Sequence, residues 1–576
     1  MKKENSIWDH PDRVLAGFIF STIVLWTLQC SLLQSVLSID IYETIVWGGQ
    51  MQWGHTKHPP LSGWIGYFFS WATGHSDWGM YFAAQFCLGL GVWFTFRLAR
   101  LFFDGYRAAV AALMLYLLFF YTPSETKFST YFVEIAIAPL AAYTLLLAVR
   151  EGSLPRWLSL GAICALGILN KYSFGLILAA FALIVLSRRE YRRSLATPGP
   201  YLAFLVFLLM ISPHLKWVYE HNFICFTHVA MRMEETHSRL MPLMVLGVAA
   251  YPLLAELLAL MLAKFPFGAR GKGAEEREEN GFRRALGFPR HFFAEGARTE
   301  EDRKALHFAA ILTLFPAAFY FTISLFGSDI ILMWMCTIFS ASGIMILALF
   351  PVGIDRVVFR RFSMILVIFI ACVFAATTAD SLLRTSITMH LNPGEVVRQT
   401  EAFWRRHSPC DPVPVVVGEL RYAALFSHYS DAHPPVCEVE DEIMFHLYRD
   451  TIRHHGALLL SNRPEDFDLF YKWSGREKVK LTRYFVNCRS LLGEHRKKRF
   501  FVGYLPPEGK EREAAGERTG KIGAGIHAPH VSAPEERLLP HRSRGNFSDR
   551  KGVSAGVSPL PACADRAGRE DLRRDR

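Results

Sequence analysis

Residues 14–36 read VLAGFIFSTIVLWTLQCSLLQSV and contain no charged side chain. A helix needs about 20 mostly apolar residues to cross the hydrocarbon core of a bilayer, which is about 30 Å thick. Ten more apolar runs follow this one along the chain. We therefore predict eleven transmembrane helices, at residues 14–36, 78–97, 108–121, 131–149, 157–170, 173–187, 200–217, 241–263, 306–326, 330–350 and 362–378.

The composition of the whole chain agrees with a membrane protein. Of its 576 residues 51% are hydrophobic and only 20% are charged, whereas soluble globular proteins carry about 25% charged residues. These values exclude a disordered or fibrous protein and argue against an ordinary soluble enzyme. Ten cysteines are too few for a disulfide scaffold in a chain of this length.

The net charge of +11 is distributed unevenly between the loops. Cytoplasmic loops of membrane proteins collect Lys and Arg. The 264–304 loop, which we expect to be a flexible cytoplasmic insert, holds ten basic residues, and others cluster at 97–107, 150–156, 188–193 and 356–361. Lys57 is the only Lys or Arg of the intervening loop 37–77. We therefore predict a cytoplasmic N-terminus and an external C-terminal segment, and topology explains the basic charge without nucleic acid.

Residues 157–187 are compatible with two arrangements. They can form a hairpin of two short helices around Asn170-Lys171-Tyr172-Ser173, or one long tilted helix. One long helix would invert every later loop and place the ten basic residues of the insert outside. The charge pattern therefore favours the hairpin and the count of eleven spans.

The composition changes after residue 378. Residues 379–505 are mixed polar, with short β-type runs at 413–417 and 457–460, which predict a small α/β domain. Residues 506–576 are charged and rich in Gly and Pro, which predicts a disordered tail. The expected fold class is an all-α polytopic membrane domain over residues 1–378, followed by a small external α/β domain.

The first external loop, residues 37–77, contains polar residues that most predicted spans lack. Asp40 and Glu43 are three residues apart, which places them on one face of a helix directly after the first span. A carboxylate pair at a membrane surface can act as a general base or hold a divalent cation. The alternative is a solvated helix start in which Asp40 is the N-cap residue.

The same loop contains Lys57-His58-Pro59-Pro60. Each proline fixes its own φ and keeps the preceding residue extended, so that Lys57 and His58 point in a defined direction. A lysine at the external face can pair with a lipid phosphate. It can equally be a snorkelling lysine in an interfacial turn.

The run Asp40-x-x-Glu43-x-x-x-Trp47, with Trp53-Gly54-x-x-Lys57-His58-Pro59-Pro60-Leu61-x-x-Trp64, resembles the first periplasmic loop of bacterial GT-C glycosyltransferases. The resemblance is to the dolichyl-phosphate-mannose transferase and aminoarabinose transferase superfamily, including the RgtA-like lipopolysaccharide glycosyltransferases. Weaker matches follow in the order of the family, at Asn170-Lys171-Tyr172, at Ser212-Pro213-His214 through Phe223, and at Val415 through Glu419. Together the matches cover roughly residues 10–505.

The chain departs from the family pattern at several places. Ile41 occupies a position where many members carry a second acid, and Ile224-Cys225-Phe226 replaces the usual Pro-Thr-Phe. The 264–304 insert and the 506–576 tail resemble nothing in the family. These departures bear on the subfamily and therefore on the sugar that is transferred.

The resemblance implies an inverting glycosyltransferase of the bacterial inner membrane. It would take a sugar from a polyprenyl-phosphate carrier and pass it, at the periplasmic face, to lipid A, lipopolysaccharide or another envelope glycan. Its partners would be this lipid-linked donor, the acceptor and membrane lipids. The resemblance also implies that Asp40 is the catalytic base, that Glu43 orients the acceptor or helps to bind a cation, and that Lys57 pairs with the carrier phosphate. Lys171 would be a second phosphate-binding cation, and His58 would shape the loop or bind the sugar. The resemblance requires no particular cofactor; if the reaction uses a divalent cation, Asp40 and Glu43 would hold it.

Two rival functions are compatible with the sequence. A multi-span transporter or flippase of a lipid-linked sugar would carry paired charges within its spans and inverted repeats in its halves, and neither stands out. A non-catalytic assembly protein would keep the fold without transfer activity. Cys410, Cys437 and Cys488 in the external segment allow one disulfide bridge among them.

A reporter fused after residue 400 tests the predicted topology. Because this position follows an odd number of predicted spans, a reporter that works only in the periplasm should be active there. The same reporter should be inactive when it is fused within the 264–304 insert. Activity after residue 400 of a reporter that works only in the cytoplasm would contradict the predicted orientation.

Overall fold

The computed structural model describes residues 6–122, 127–227, 239–264, 298–326 and 330–509. Most of the predicted insert, at 265–297, and the predicted tail from residue 510 onward lie outside these described residues. The flexibility of the insert and the disorder of the tail therefore stay predictions.

Helices dominate the chain up to residue 383. In chain order they are α1 (Pro11–Leu33), α2 (Ile39–Gly49), α3 (Leu61–Ala72), α4 (Asp77–Ala99), α5 (Gly105–Leu113), α6 (Thr130–Glu151), α7 (Leu154–Asn170), α8 (Phe174–Ser187), α9 (Arg189–Arg192), α10 (Gly199–Glu220), α11 (Met241–Lys264), α12 (Glu300–Leu325), α13 (Ser342–Leu349) and α14 (Arg356–Leu383). Short 3-10 helices lie at Ile7–Asp9, Met114–Leu117, Phe119–Tyr121, Arg193–Ala196 and Leu332–Ala341.

Within the described ranges, eight helical segments are long and apolar enough to cross a membrane by length and composition. They are α1, α4, α6, α10, α11, α12, the Leu332–Leu349 segment and α14. Three shorter apolar helices, Gly105–Leu117, α7 and α8, coincide with the three predicted runs that are the shortest. All eleven runs are thus helical, while the number that crosses the bilayer stays a prediction.

The 157–187 region forms two helices, as the charge pattern predicts. α7 ends at Asn170 and α8 begins at Phe174, so that Lys171, Tyr172 and Ser173 form the connection. The Asn170 side chain is buried and its Nδ2 donates to Thr130 O at 2.9 Å. This bond ties the hairpin to the start of α6.

The predicted span 330–350 is not α-helical throughout. Residues Leu332–Ala341 form a 3-10 helix before α13 begins. Two of its carbonyl groups accept from side chains of other helices: Ser340 O from Thr95 Oγ1 at 3.1 Å, and Trp334 O from Tyr320 at 3.3 Å. These partners help to satisfy carbonyl groups in a segment whose internal hydrogen bonds are weaker than those of an α-helix, and hydropathy does not reveal them.

Helices α2 and α3 cross at very short range. A Cβ atom on Gly48 would lie 2.0 Å from the carbonyl oxygen of Gly63, so only glycine fits at this position of α2. The crossing fixes α2 directly above the apolar bundle. α2 is the helix that carries Asp40 and Glu43.

The C-terminal part combines five helices with one sheet. The helices are α15 (Ile387–His390), α16 (Pro393–His407), α17 (Leu420–Tyr429), α18 (Glu442–His455) and α19 (Asp468–Ser474), and a 3-10 helix lies at Pro464–Phe467. The strands are β1 (Val416–Gly418), β2 (Val436–Glu438), β3 (Ala457–Ser461), β4 (Thr482–Cys488) and β5 (Arg496–Leu505).

The sheet has the strand order β2-β1-β3-β5-β4. β1 pairs in parallel with both β2 and β3, whereas β5 is antiparallel to β3 and β4. β1 and β3 overlap the two runs that were predicted as strands. The carboxyl ends of the three parallel strands share one edge of the sheet, and Glu438 is the last residue of β2.

The C-terminal part packs directly on residues 37–77, the loop that was predicted to be external. Trp47 of α2 is buried in one apolar cluster with Val415 and Val417. At a second contact, Asp77 accepts hydrogen bonds from Tyr429 at 2.7 Å and from His428 Nε2 at 2.9 Å. A mostly helical chain with a small C-terminal sheet is therefore confirmed as the fold class.

Two of the three cysteines that were predicted to be external lie in strands of the sheet. Cys437 in β2 and Cys488 in β4 are both buried and are both free thiols. They do not form a disulfide with each other.

Gly48→Ala tests the close crossing of α2 and α3. The added methyl group has to displace the Gly63 backbone, and overpacking of this kind costs about 1–3 kcal/mol. We expect a lower melting temperature in detergent than for the wild type. Gly175→Ala is the matched control, because a Cβ there meets no atom within 4 Å. Equal melting temperatures for the two variants would contradict the crossing.

Candidate active site

Helix α2 presents both predicted carboxylates. Its N-cap residue is Ser38, and Asp40 lies in the first turn; Asp40 as the N-cap residue is therefore wrong. Asp40 is half-buried, and the side chain of Glu43 is 18% exposed. The charge of Asp40 acts on Glu43, as expected for two acids on one helix face.

Lys57 lies between two carboxylates from different parts of the chain. Its Nζ is 2.7 Å from Glu43 Oε1 and 4.0 Å from Glu438 Oε1. We call Glu43, Lys57 and Glu438 the Lys57 cluster. The Lys57 side chain keeps 34% of its surface exposed, more than either carboxylate partner. The cluster therefore places the ammonium group of a partly exposed side chain close to two partly buried acids.

Burial shifts the titration of this cluster. It raises the pKa of Glu43 above its usual range, although Lys57 opposes the shift. It raises the pKa of Glu438 to about 7, again against Lys57. Burial alone would lower the pKa of Lys57, but the Glu43 and Glu438 carboxylates together raise it. The ammonium group is therefore charged throughout the neutral pH range.

The residues just before Lys57 are held from two sides. Thr56 Oγ1 donates to Asp441 Oδ2 of the C-terminal part at 2.6 Å. The Cys225 thiol donates to His55 O at 3.0 Å. Gly54 lies so close to Trp217 of α10 that a Cβ atom would come within 2.2 Å of the indole ring. The backbone that carries Lys57 is thus fixed by the helical bundle and by the C-terminal part.

His58 and His55 contact the same tryptophan. The His55 ring stacks on Trp47 at a centroid distance of 5.2 Å, and the His58 ring meets it edge-on at 5.7 Å. Burial lowers the pKa of His55 to about 3, so its ring is neutral at physiological pH. These contacts place His58 in the loop beside Lys57, where both of its predicted roles remain predictions.

Three of the segments whose sequences resemble the family contact one another in the fold. Tyr172 of the α7–α8 connection lies 3.0 Å from His214 Nε2, from hydroxyl oxygen to ring nitrogen. His214 Nδ1 in turn lies 2.6 Å from Trp53 O of the first external loop. The loop, the hairpin and α10 therefore form one connected surface, although they are far apart in the chain.

Lys171 occupies a different environment from Lys57. Its side chain is 6% exposed, its Nζ lies 3.5 Å from Glu134 Oε2, and it lies over the Tyr131 ring at 4.0 Å. Lys171 is therefore already paired with a buried acid.

Three acids around this region were not predicted from the sequence. Glu134 is a fully buried carboxylate inside a predicted span. An acid within an apolar run was the sequence signal that could have identified it. Glu438 and Asp441 carry no such signal, because they come from the C-terminal sheet: Asp441 and its partner Thr56 are 385 residues apart. Only the folded chain brings them to the first loop.

The predicted metal site has few donors. Over the part of the chain that the structure describes, no group of three or more His, Cys, Asp and Glu side chains is arranged to hold a metal ion. Glu43 already binds the Lys57 ammonium group. A divalent cation at Asp40 and Glu43 would have to displace Lys57, and it remains an untested prediction.

Paired substitutions distinguish a structural Lys171 from one that binds phosphate. Lys171→Met leaves the buried Glu134 without its cation, and such a loss costs about 3–5 kcal/mol. Lys171→Met with Glu134→Met should restore the melting temperature, because apolar replacement of a buried pair is often nearly neutral. Lys216→Met is the control, since the Lys216–Glu220 pair is exposed. A double variant as unstable as the single variant would contradict a purely pairwise contact.

Comparisons with known proteins agree with this architecture. Residues 57–217 match the family model described as dolichyl-phosphate-mannose-protein mannosyltransferase. The matched segment includes Lys57, His58 and Lys171, and it begins after Asp40 and Glu43. No curated protein matches the chain in sequence.

Solved structures give a broader match. ArnT from Cupriavidus metallidurans bound to undecaprenyl phosphate aligns with a TM-score of 0.53 and 13% identity, over 84% of this chain and 97% of that chain. The apo state of the same protein aligns with a TM-score of 0.52 and 14% identity, over 85% and 97%. The chain therefore has the GT-C glycosyltransferase fold that the sequence resemblance implied, with its 57–217 segment matching the dolichyl-phosphate-mannose-protein mannosyltransferase family.

Proposed function

We propose that the protein is an inverting glycosyltransferase of the inner membrane. It moves a sugar from a polyprenyl-phosphate donor to a hydroxyl group of an acceptor at the external face. Lipid A, lipopolysaccharide or another envelope glycan is the proposed acceptor. The GT-C fold supports a transferase, and a neighbour with that fold was solved with undecaprenyl phosphate bound.

The Lys57 cluster is the observation that carries this proposal. A lipid-linked sugar phosphate presents its charge at the edge of the bilayer, where a protein cation has to meet it. Lys57 lies on the loop that follows α1 and α2, and it is partly accessible, charged and held between two acids. A cation in such a fixed position stabilises the negative charge that develops on a departing phosphate.

The reaction then uses the two acids of α2 in different ways. The acceptor oxygen attacks the anomeric carbon, the bond from that carbon to the phosphate oxygen breaks, and the polyprenyl phosphate leaves with the bonding electrons. Asp40 takes the proton of the acceptor hydroxyl group. Glu43 is less suited to this step, because its carboxylate is buried and engaged by Lys57; it orients the acceptor and Lys57.

A transporter of lipid-linked sugars is the second candidate function, and one observation favours it. Glu134 and Lys171 form a buried charge pair at the apolar bundle, which a transporter would have within its spans. Glu134 is only four residues from the first residue of α6, which is about 6 Å along a helix. Transporter sites lie near the bilayer midplane. The position of this pair close to the start of α6 fits a site at the membrane surface better.

Asp40→Asn tests the proposed base. The substitution keeps the size of the side chain and removes the proton acceptor. General base catalysis contributes about 10²–10⁴-fold, so turnover should fall by about that factor while the donor KM changes little. The assay measures transfer from a radiolabelled polyprenyl-phosphate sugar in membranes. Asp431→Asn in an exposed turn is the control. Full activity of Asp40→Asn would make Glu43 the first alternative base.

Lys57→Ala should have a different kinetic effect. It removes a partner of the donor phosphate, so the donor KM should rise about tenfold or more, because lost ground-state binding appears in KM. Turnover should also fall, by no larger a factor, because the departing phosphate loses a stabilising charge. Glu43→Gln should be intermediate, and its activity should respond to added divalent cation if the acid holds a metal ion. Protein amount and melting temperature are measured in parallel. Wild-type kinetics in all three loop variants would remove the support for a transferase.

A further inference from the structure

The carboxyl edge of the C-terminal sheet meets the first external loop at Lys57. Glu438 ends β2 at this edge, and its side chain is 13% exposed. Its Oε1 lies 4.0 Å from Lys57 Nζ, on an ammonium group that already donates to Glu43. One cation is therefore shared by an acid of the membrane-proximal helix α2 and an acid of the sheet.

A second contact fixes how the C-terminal sheet and the loop that carries Lys57 are aligned. Asp441 accepts from Met444 N at 3.0 Å and so caps α18, and its other carboxylate oxygen accepts from Thr56 at 2.6 Å. Thr56 and Lys57 are consecutive, and they contact two acids of one short turn, residues 438–441. The turn therefore holds both the backbone region and the charged end of the lysine.

The sharing matters because Lys57 has two tasks that conflict. In the ion pair with Glu43 it neutralises a buried carboxylate, yet it has to face a phosphate as well. A lysine side chain is flexible, and fixing it costs up to about 2 kcal/mol of rotamer entropy. A second carboxylate at 4.0 Å limits the positions of the ammonium group before any ligand arrives.

We infer that Glu438 is a positioning residue of the transfer site, which holds the Lys57 ammonium group where the donor phosphate meets it. This inference rests on the proposed function. It gives the C-terminal sheet a part in donor binding in addition to covering the membrane domain. Glu438 acts through Lys57 and does not itself contact the reacting atoms.

A double-mutant cycle tests the inference on the full-length protein in membranes. Glu438→Gln should raise the donor KM about tenfold, in the range typical of coupled neighbours, and should change kcat less than twofold. The same substitution should have no further effect when Lys57 is already Ala. Glu440→Gln is the matched control, because it removes an equal charge from the same turn at an exposed position. An effect of Glu438→Gln that persists in the Lys57→Ala background would overturn the inference.

A chemical readout separates this inference from the proposed reaction. Modification of Lys57 by an amine-reactive reagent, followed by mass spectrometry, reports how firmly the proton is held on its ammonium group. Glu438→Gln should speed the modification several-fold, and Glu440→Gln should leave it unchanged. If the modification responds but no sugar is transferred by the wild type, the proposed reaction fails and the contact stands. If transfer is normal and neither the modification nor the donor KM responds, the positioning role alone fails.

Discussion

The ion pair between Lys57 and Glu43 is the interaction on which the arrangement of the candidate site depends. Glu43 is carried by α2, which the glycine crossing with α3 fixes above the bundle. Its carboxylate is buried, and a buried charge needs a partner in good geometry. The loop that supplies Lys57 is therefore held on both sides: Gly54 fits against Trp217 of α10, and Thr56 is bonded to Asp441. A mobile loop would leave Glu43 uncompensated whenever the lysine moved away.

This requirement explains why the C-terminal part is more than an attached domain. Trp47, on the same helix as Glu43, enters an apolar cluster of the sheet, and Asp77 at the start of α4 bonds His428 and Tyr429. The apolar core is continuous between the spans and α16, α17 and the sheet. The sheet therefore has a fixed position over the first loop. This apolar packing sets the distance between the sheet and the first loop, and that distance allows Glu438 to share Lys57 with Glu43.

The parts of this structure that follow from local patterns could be predicted, and the parts that depend on long-range contacts could not. Hydropathy located all eleven apolar helices, and the charges of the loops selected the hairpin at 157–187. Residue spacing placed Asp40 and Glu43 on one helix face. The 3-10 segment at Leu332–Ala341 escaped prediction, because carbonyl partners from other helices are invisible in hydropathy. Glu438 escaped for the same reason: nothing in β2 itself indicates that its last residue meets a loop near the N-terminus.

The two lysines of the site differ in what it would cost them to meet a phosphate, and within the proposed function this difference favours different tasks for them. Lys171 is 6% exposed, and its partner Glu134 is fully buried at 1%. Moving that ammonium group to a phosphate would leave a carboxylate without charge compensation in the bundle, which costs several kcal/mol. Lys57 is 34% exposed and has a second carboxylate nearby. Its side chain can meet a ligand while its ammonium group stays between the two acids. Within the proposed function, Lys57 is therefore the cation that meets the donor phosphate, and Lys171 mainly holds α6 against the α7–α8 connection.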